Sequence, residues 1–207
     1  WLLMSAILFI VLIVGGTALL SWPLGGYTKW AMDPGLDAGP RRQRLDRLFE
    51  SITGKLGREP QGWNRYIIAM LAFNVVMFVV SFAFMALQQY LPLNPDGMKG
   101  VEGSLIFNTV ASFTSNTNLQ HYSGESTMSY LSQLCSLMWL QFVSAATGIA
   151  ALAALARGLA GKKAMGNFFI DVQRASFLVL LPLALIVATL MVLGSMPMTL
   201  AGSAHAT

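Results

Sequence analysis

The chain has 207 residues, 55% hydrophobic and 11% charged, where an average soluble domain is roughly a quarter charged. That deficit excludes an ordinary water-soluble domain and points to a chain dissolved in lipid. The formal net charge of +4 is modest, so where the charges sit matters more than their sum, and no nucleic-acid partner is expected.

A bilayer core of roughly 30 Å needs about 20 apolar residues of helix. The uncharged run Leu2–Leu20 is long enough to be a leading transmembrane helix (1–20). It is too long for a signal-peptide core, and Ser21-Trp22-Pro23 does not resemble a small-residue cleavage site. Segment 21–65 carries eight basic residues: Lys29, Arg41, Arg42, Arg44, Arg47, Lys55, Arg58 and Arg65. It opens with Pro23, Gly25, Gly26, Pro34, Gly35, Gly39 and Pro40, which is turn chemistry. Across Arg41–Leu56, Leu45, Leu48, Phe49 and Ile52 recur at helical spacing, so a short amphipathic helix on the inner membrane surface is expected, with a solvated connector as the alternative. Trp22, Trp30, Trp63 and Tyr66 flank the spans and read as interfacial anchors.

Tyr66–Leu91 is the second span, and Gln88 and Gln89 at its end are expected to reach the outer interface. Segment 92–126 has one basic residue, Lys99. Thr127–Ala156 is the third span. In it Ala146, Ala150 and Ala154, with Gly158 beyond, recur every four residues, a pattern of close helix packing. Asn74 and Gln141 lie mid-span, where a lone amide is more often glue between helices than part of an ion path. Segment 157–174 holds Arg157, Lys162, Lys163 and Arg174. Ala175–Met196 is the fourth span, with Pro182 tolerated by neighbouring helices; 197–207 is an outer segment. The positive-inside rule places 21–65 and 157–174 in the cytoplasm and 92–126 outside, so the N-terminus is outside. Because the sequence opens on Trp1 and stops in a small-residue stretch, it reads as a piece of something longer.

Cys135 is the single cysteine and sits in an apolar run, where it reads as a small buried hydrophobe. His121 and His205 lie outside the spans and are unpaired, so no metal or haem site is expected. Gly158-Leu159-Ala160-Gly161-Lys162-Lys163 lacks the spacing and hydroxyl of a phosphate loop, and no ATP site is expected.

The outer segment 92–126 contains an anomaly. Residues 104–113, Ser104-Leu105-Ile106-Phe107-Asn108-Thr109-Val110-Ala111-Ser112-Phe113, are apolar and helix-compatible with Ser104 as a reasonable N-cap. About 15 Å of helix cannot cross a bilayer. Thr114-Ser115-Asn116-Thr117-Asn118 follows, rich in hydroxyl and amide oxygen and free of charge. A short apolar helix and a neutral polar strand between two full spans is the pattern of a re-entrant pore loop. Oxygens there can replace the water shell of a monovalent cation, with the helix's partly negative end aimed at the path. An extracellular loop whose short helix packs on the outer surface fits the pattern alone equally well.

The string Phe107-Asn108-Thr109-Val110-Ala111-Ser112-Phe113-Thr114-Ser115-Asn116-Thr117-Asn118-Leu119-Gln120-His121-Tyr122-Ser123-Gly124-Glu125 closely resembles the first pore loop of the potassium-translocating A subunit of the bacterial Kdp ATPase. The Tyr90–Pro95 turn, Gln141–Gly148 and the opening helix with its Pro-Leu-Gly turn also look like that family, in order along the chain. The resemblance implies an all-α membrane protein with a leading helix and a helix–pore loop–helix repeat of the potassium channel and transporter superfamily. The first repeat falls at 66–156, with pore helix 104–113 and filter 114–118, and 175–196 opens the second. Thr114, Ser115, Asn116, Thr117 and Asn118 match the filter and Gln120 its outer mouth. In the family, potassium selected at an outward filter passes to a partner P-type ATPase subunit in the bacterial inner membrane, and a small accessory subunit stabilises the complex. This chain would bind potassium without itself being an enzyme. The family pattern has Trp where this chain has Leu119, and Ser115 precedes the first Asn; neither change removes an oxygen. A potassium channel or symporter subunit without ATP coupling, or a structural membrane assembly protein, are the alternatives.

Overall fold

The computed structural model describes residues 2–33 and 39–196. Among the described residues the regular elements are helical: α1 (Leu2–Met32), α2 (Pro40–Thr53), α3 (Lys55–Arg58), α4 (Trp63–Ala86), α5 (Gly103–Thr114), α6 (Gly124–Thr127), α7 (Tyr130–Ser132), α8 (Trp139–Leu159), α9 (Phe168–Arg174) and α10 (Leu181–Leu193). The π-helical stretch Gln133–Met138 joins α7 to α8, and Ala175–Leu180 joins α9 to α10. Four continuous helices are long and apolar enough to cross a membrane: Ser5–Met32, Trp63–Ala86, Tyr130–Leu159 and Phe168–Leu193. Side chains such as Leu8, Leu71, Leu152 and Leu190 stand exposed along them. Apolar surface this extensive suits lipid and not water. Pro34 and Gly35 of the expected turn, His205 and segment 197–207 lie outside the described residues.

The leading helix corrects the expectation that it stops at Leu20. It continues to Met32 with Pro23 inside it, so Pro23, Gly25 and Gly26 are helical and do not turn the chain. The added turns are held by tertiary contacts. The Tyr27 hydroxyl donates to the Leu178 carbonyl. The last carbonyls are taken by three guanidiniums: Ala31 O accepts from Arg42 at 2.8 Å, and Met32 O from Arg157 at 2.8 Å and Arg174 at 3.2 Å. Cations at a helix C-terminus satisfy its orphan carbonyls and complement its dipole. In the fourth span, Pro182 lies two residues beyond the π-helical stretch, whose widened turn accommodates a residue with no N–H.

Two apolar cores divide the molecule. One packs α5 against α4 and the third span, around Met85, Ile106, Val110, Phe113, Leu137 and Leu140. The other lies at the opposite, basic end around Ala31, Phe49, Tyr66, Ala150, Phe168 and Ala175. Ala146, Ala150 and Ala154 are fully or almost fully buried, as close packing along that stripe requires.

The basic end is not a set of free loop charges. Arg157 is 7% exposed and Asp171 1%, and they form a two-pronged ion pair at 2.5 and 3.0 Å. Tyr66 is 2% exposed, which corrects its reading as an interfacial anchor: its hydroxyl donates to Ala150 O at 2.8 Å and lies 3.1 Å from Asp171 Oδ2. Arg174 and Arg42 converge on Asp46 at 2.9 and 2.5 Å, and Arg42 lies over the Trp30 ring. The apolar stripe expected on 41–56 therefore splits. Phe49 is buried and Leu45 packs on the core, whereas Leu48 and Ile52 are exposed, because Arg42 and Asp46 share the docked face of α2. Residues 168–174, expected in a loop, form α9, capped by the Asn167 side chain accepting from Phe169 and Ile170.

Candidate functional site

The non-spanning segment between α4 and α7 is held by three side-chain amides, one buried and two half-buried. Gln88 is fully buried, which corrects its expected place at the outer interface. Its amide donates to Lys99 O at 2.6 Å and Thr127 O at 2.9 Å and accepts from Ser129 N at 3.0 Å. Asn94 exchanges two hydrogen bonds with the Met98 backbone at 2.8 and 2.7 Å, and Gln133 donates to Gly124 O and Met128 O. These three side chains tie both flanks of α5 to each other and to the third span.

The cap of α5 lies two residues earlier than expected: Glu102, not Ser104, caps it, accepting from the backbone N–H of Ser104 and Leu105 at 3.1 Å each. The Ser104 hydroxyl also donates to it. The hydroxyl first, then the two N–H groups, hold the Glu102 carboxyl below the usual carboxylate range. Ile106, Thr109, Val110 and Phe113 face the core, spaced as a helix packed on one side requires.

The helix ends in a Schellman motif. The Thr117 N–H reaches Ser112 O at 2.8 Å and the Asn116 N–H reaches Phe113 O at 3.2 Å, with Asn116 left-handed at φ +58°. Asn118 is left-handed too, at φ +55°. Asn tolerates this region better than other residues with a Cβ, which gives both asparagines a conformational reason to be there. The Asn118 N–H also points to Ser112 O at 3.3 Å, the Ser115 hydroxyl donates to the same oxygen at 3.1 Å, and the Leu119 N–H donates to the Ser112 hydroxyl at 2.7 Å. The Ser115 and Thr117 hydroxyls are 2.8 Å apart, and Ser144 on α8 donates to Asn116 Oδ1 at 3.3 Å. Neither Ser112 nor Ser144 was singled out from the sequence.

The structure thus gathers Thr114, Ser115, Asn116, Thr117 and Asn118 into one tight turn off the end of α5. Residues 115–118 are exposed, while Thr114 Oγ1 is buried without a hydrogen-bond partner. The backbone bonds that hold the turn end on Ala111, Ser112 and Phe113, and none of them uses a carbonyl of residues 114–118. Gln120 is exposed, with its amide 3.4 Å from the Tyr122 hydroxyl. It lines a hollow of about 290 Å³ with Phe113, Gln133, Leu137, Met138 and Gln141. The mid-span Gln141 therefore sits beside the loop and not in a distant helix contact. The result is a neutral, oxygen-rich turn at the negative end of a short helix, suited to a weakly held cation.

Residues 9–207 match the family model described as "Potassium-transporting ATPase A subunit". Among curated proteins, the potassium-transporting ATPase potassium-binding subunit of Pseudomonas putida is 48% identical over 170 residues, covering 81% of this chain and 29% of that protein. The protein of the same name from Granulibacter bethesdensis is 42% identical over 191 residues, covering 91% of this chain and 34% of its own length. That of Mesorhizobium japonicum is 43% identical over 201 residues, covering 96% and 35%. The chain spans about a third of the length of these relatives.

Proposed function

The chain belongs to the potassium-transporting ATPase A subunit family, and from that premise we propose that it forms part of the potassium-binding and translocating subunit of an ATP-driven uptake complex. Potassium is the substrate, and Thr114, Ser115, Asn116, Thr117 and Asn118 are its filter residues, with Gln120 at the mouth. The observation that carries this reading is the neutral turn at the end of α5, whose backbone hydrogen bonds leave the carbonyls of 114–118 uncommitted. A cation losing its water there meets carbonyl and hydroxyl oxygens and the partial negative end of a helix, with no full charge to trap it.

The division into a leading helix, a first repeat at 66–156 and the opening helix of a second belongs to the same proposal. The turn is one contributor to a filter whose other walls come from the rest of a protein about three times as long. The basic residues of 21–65 and 157–174 favour the cytoplasmic side of a bacterial inner membrane for the end of the molecule that carries them, including the last turns of α1 and the first turns of the fourth span, with the N-terminus and the filter outside. The ion then passes to a P-type ATPase subunit, which supplies the energy; this subunit selects and conducts but does not hydrolyse ATP. In the complete complex, substitutions across 114–118 that disturb the backbone of the turn raise the potassium concentration that half-maximally stimulates ATP hydrolysis. An unchanged half-maximal concentration across several such variants overturns the filter assignment, and transport without ATP favours a channel or symporter.

A further inference from the structure

We infer that Ser112 is the positioning residue of the ion-binding turn, aiming three carbonyl groups at the ion path without itself touching the ion; the inference rests on reading 114–118 as a potassium filter. Three consecutive backbone N–H groups, those of Thr117, Asn118 and Leu119, converge on one residue: two on the Ser112 carbonyl at 2.8 and 3.3 Å, the third on its hydroxyl at 2.7 Å. In a planar trans peptide the N–H of one residue and the C=O of the residue before it point in opposite directions, and the chain has no cis peptide bonds among the described residues. Three N–H groups drawn toward Ser112 therefore turn the carbonyls of Asn116, Thr117 and Asn118 away from it, off the end of α5. One residue in the helix so sets the direction of three potential ligands in the turn.

Any residue at 112 supplies the carbonyl. Serine adds the hydroxyl, and that oxygen takes the Leu119 N–H seven residues on, closing a ring around the whole turn. It also fixes the peptide that carries the Asn118 carbonyl. The turn needs such an anchor because two of its residues, Asn116 and Asn118, are left-handed, a conformation that persists only when its surroundings over-determine it. The Leu119 side chain is 60% exposed and gives little hold of its own. The further contact from the third span, Ser144 to Asn116 Oδ1, lies at the start of the turn and leaves its exit to Ser112.

The test uses the full-length subunit in its assembled complex, with Ser112→Ala and Ser112→Thr beside Asn118→Val, which strains the left-handed position. The expected result is a rise of roughly threefold to tenfold in the half-maximal potassium concentration for Ser112→Ala, the worth of one lost hydrogen bond, with the maximal ATPase rate kept. Ser112→Thr, which retains the hydroxyl, restores the wild-type value. Amide exchange at Leu119 speeds up in the Ala variant and not in the Thr variant; it is also read on complex that assembles poorly. A normal half-maximal concentration in Ser112→Ala while the Asn118 variant shifts overturns the role of Ser112 and leaves the filter standing. Equal shifts in the Ala and Thr variants, or a fall in maximal rate alone, overturn it as well. No shift in any variant overturns the filter reading itself.

Discussion

Replacing Asp171 by Ala removes the acceptor of the most buried ion pair in the structure. Arg157 would keep its bonds to Met165 O at 2.7 Å and Met32 O at 2.8 Å but lose both prongs of the carboxylate, at 2.5 and 3.0 Å. Each hydrogen bond to a charged group contributes about 1.5–3 kcal/mol, so the two together amount to roughly 3–6 kcal/mol. Breaking a buried pair from one side costs about 3–5 kcal/mol by an independent route. Asp33, 3.7 Å from Arg157 and half exposed, recovers a little of this, which places the expected loss near the lower end, about 3 kcal/mol. Thermal unfolding of the assembled complex in detergent reads it, alongside the double variant Arg157→Met/Asp171→Leu. The double variant should be clearly more stable than Asp171→Ala, since no uncompensated charge remains. A loss below about 1 kcal/mol for Asp171→Ala, the range of an exposed pair, would refute the reasoning.

Gly166 has φ +96°, and a Cβ there would lie 2.3 Å from Arg157 Nη1 and 3.0 Å from Asp171 Oδ2; Gly166→Ala should cost more than about 2 kcal/mol in the same unfolding assay. Asn118→Gly keeps the left-handed turn and should leave the half-maximal potassium concentration within about twofold, whereas Asn118→Val strains it by roughly 1–2 kcal/mol and should raise that concentration several-fold. Glu102 has its folded-state carboxyl held below the ordinary value by the Ser104 hydroxyl and two N–H groups. Its contribution to the start of α5 is therefore complete above the ordinary carboxylate pKa and is lost as pH falls through the lower folded-state value. Protection of the Ser104 and Leu105 amides, taken relative to their intrinsic exchange rate at each pH, should fall on acidification in the native protein and be low and flat across that window in Glu102→Gln.

Local rules made the spans, the short α5 and the neutral turn legible. Each rests on composition over a window: length against bilayer thickness, helix-compatible apolar residues, and hydroxyl and amide side chains in a run. The same rules failed wherever a distant partner decided. Pro23, Gly25 and Gly26 spell a turn, yet α1 continues because Arg42, Arg157 and Arg174 take its final carbonyls. Arg157 and Arg174 counted as loop charges because Asp171 and Asp46, which pair with them, are 14 and 128 residues away. Gln88 read as an interfacial residue because nothing nearby announces that Lys99, Thr127 and Ser129 will close around it.

The turn shows both sides of this division. Its chemistry, oxygen without charge, is a property of five consecutive side chains and so was written in the sequence. Its shape is not. The left-handed asparagines, the convergence of three N–H groups on Ser112 and the tie from Ser144 depend on where α5 ends and which face of α8 lies beside it. Side-chain composition is local, but the direction of a backbone carbonyl is set by whatever holds the N–H on the other side of its peptide plane, and only the folded chain supplies that partner.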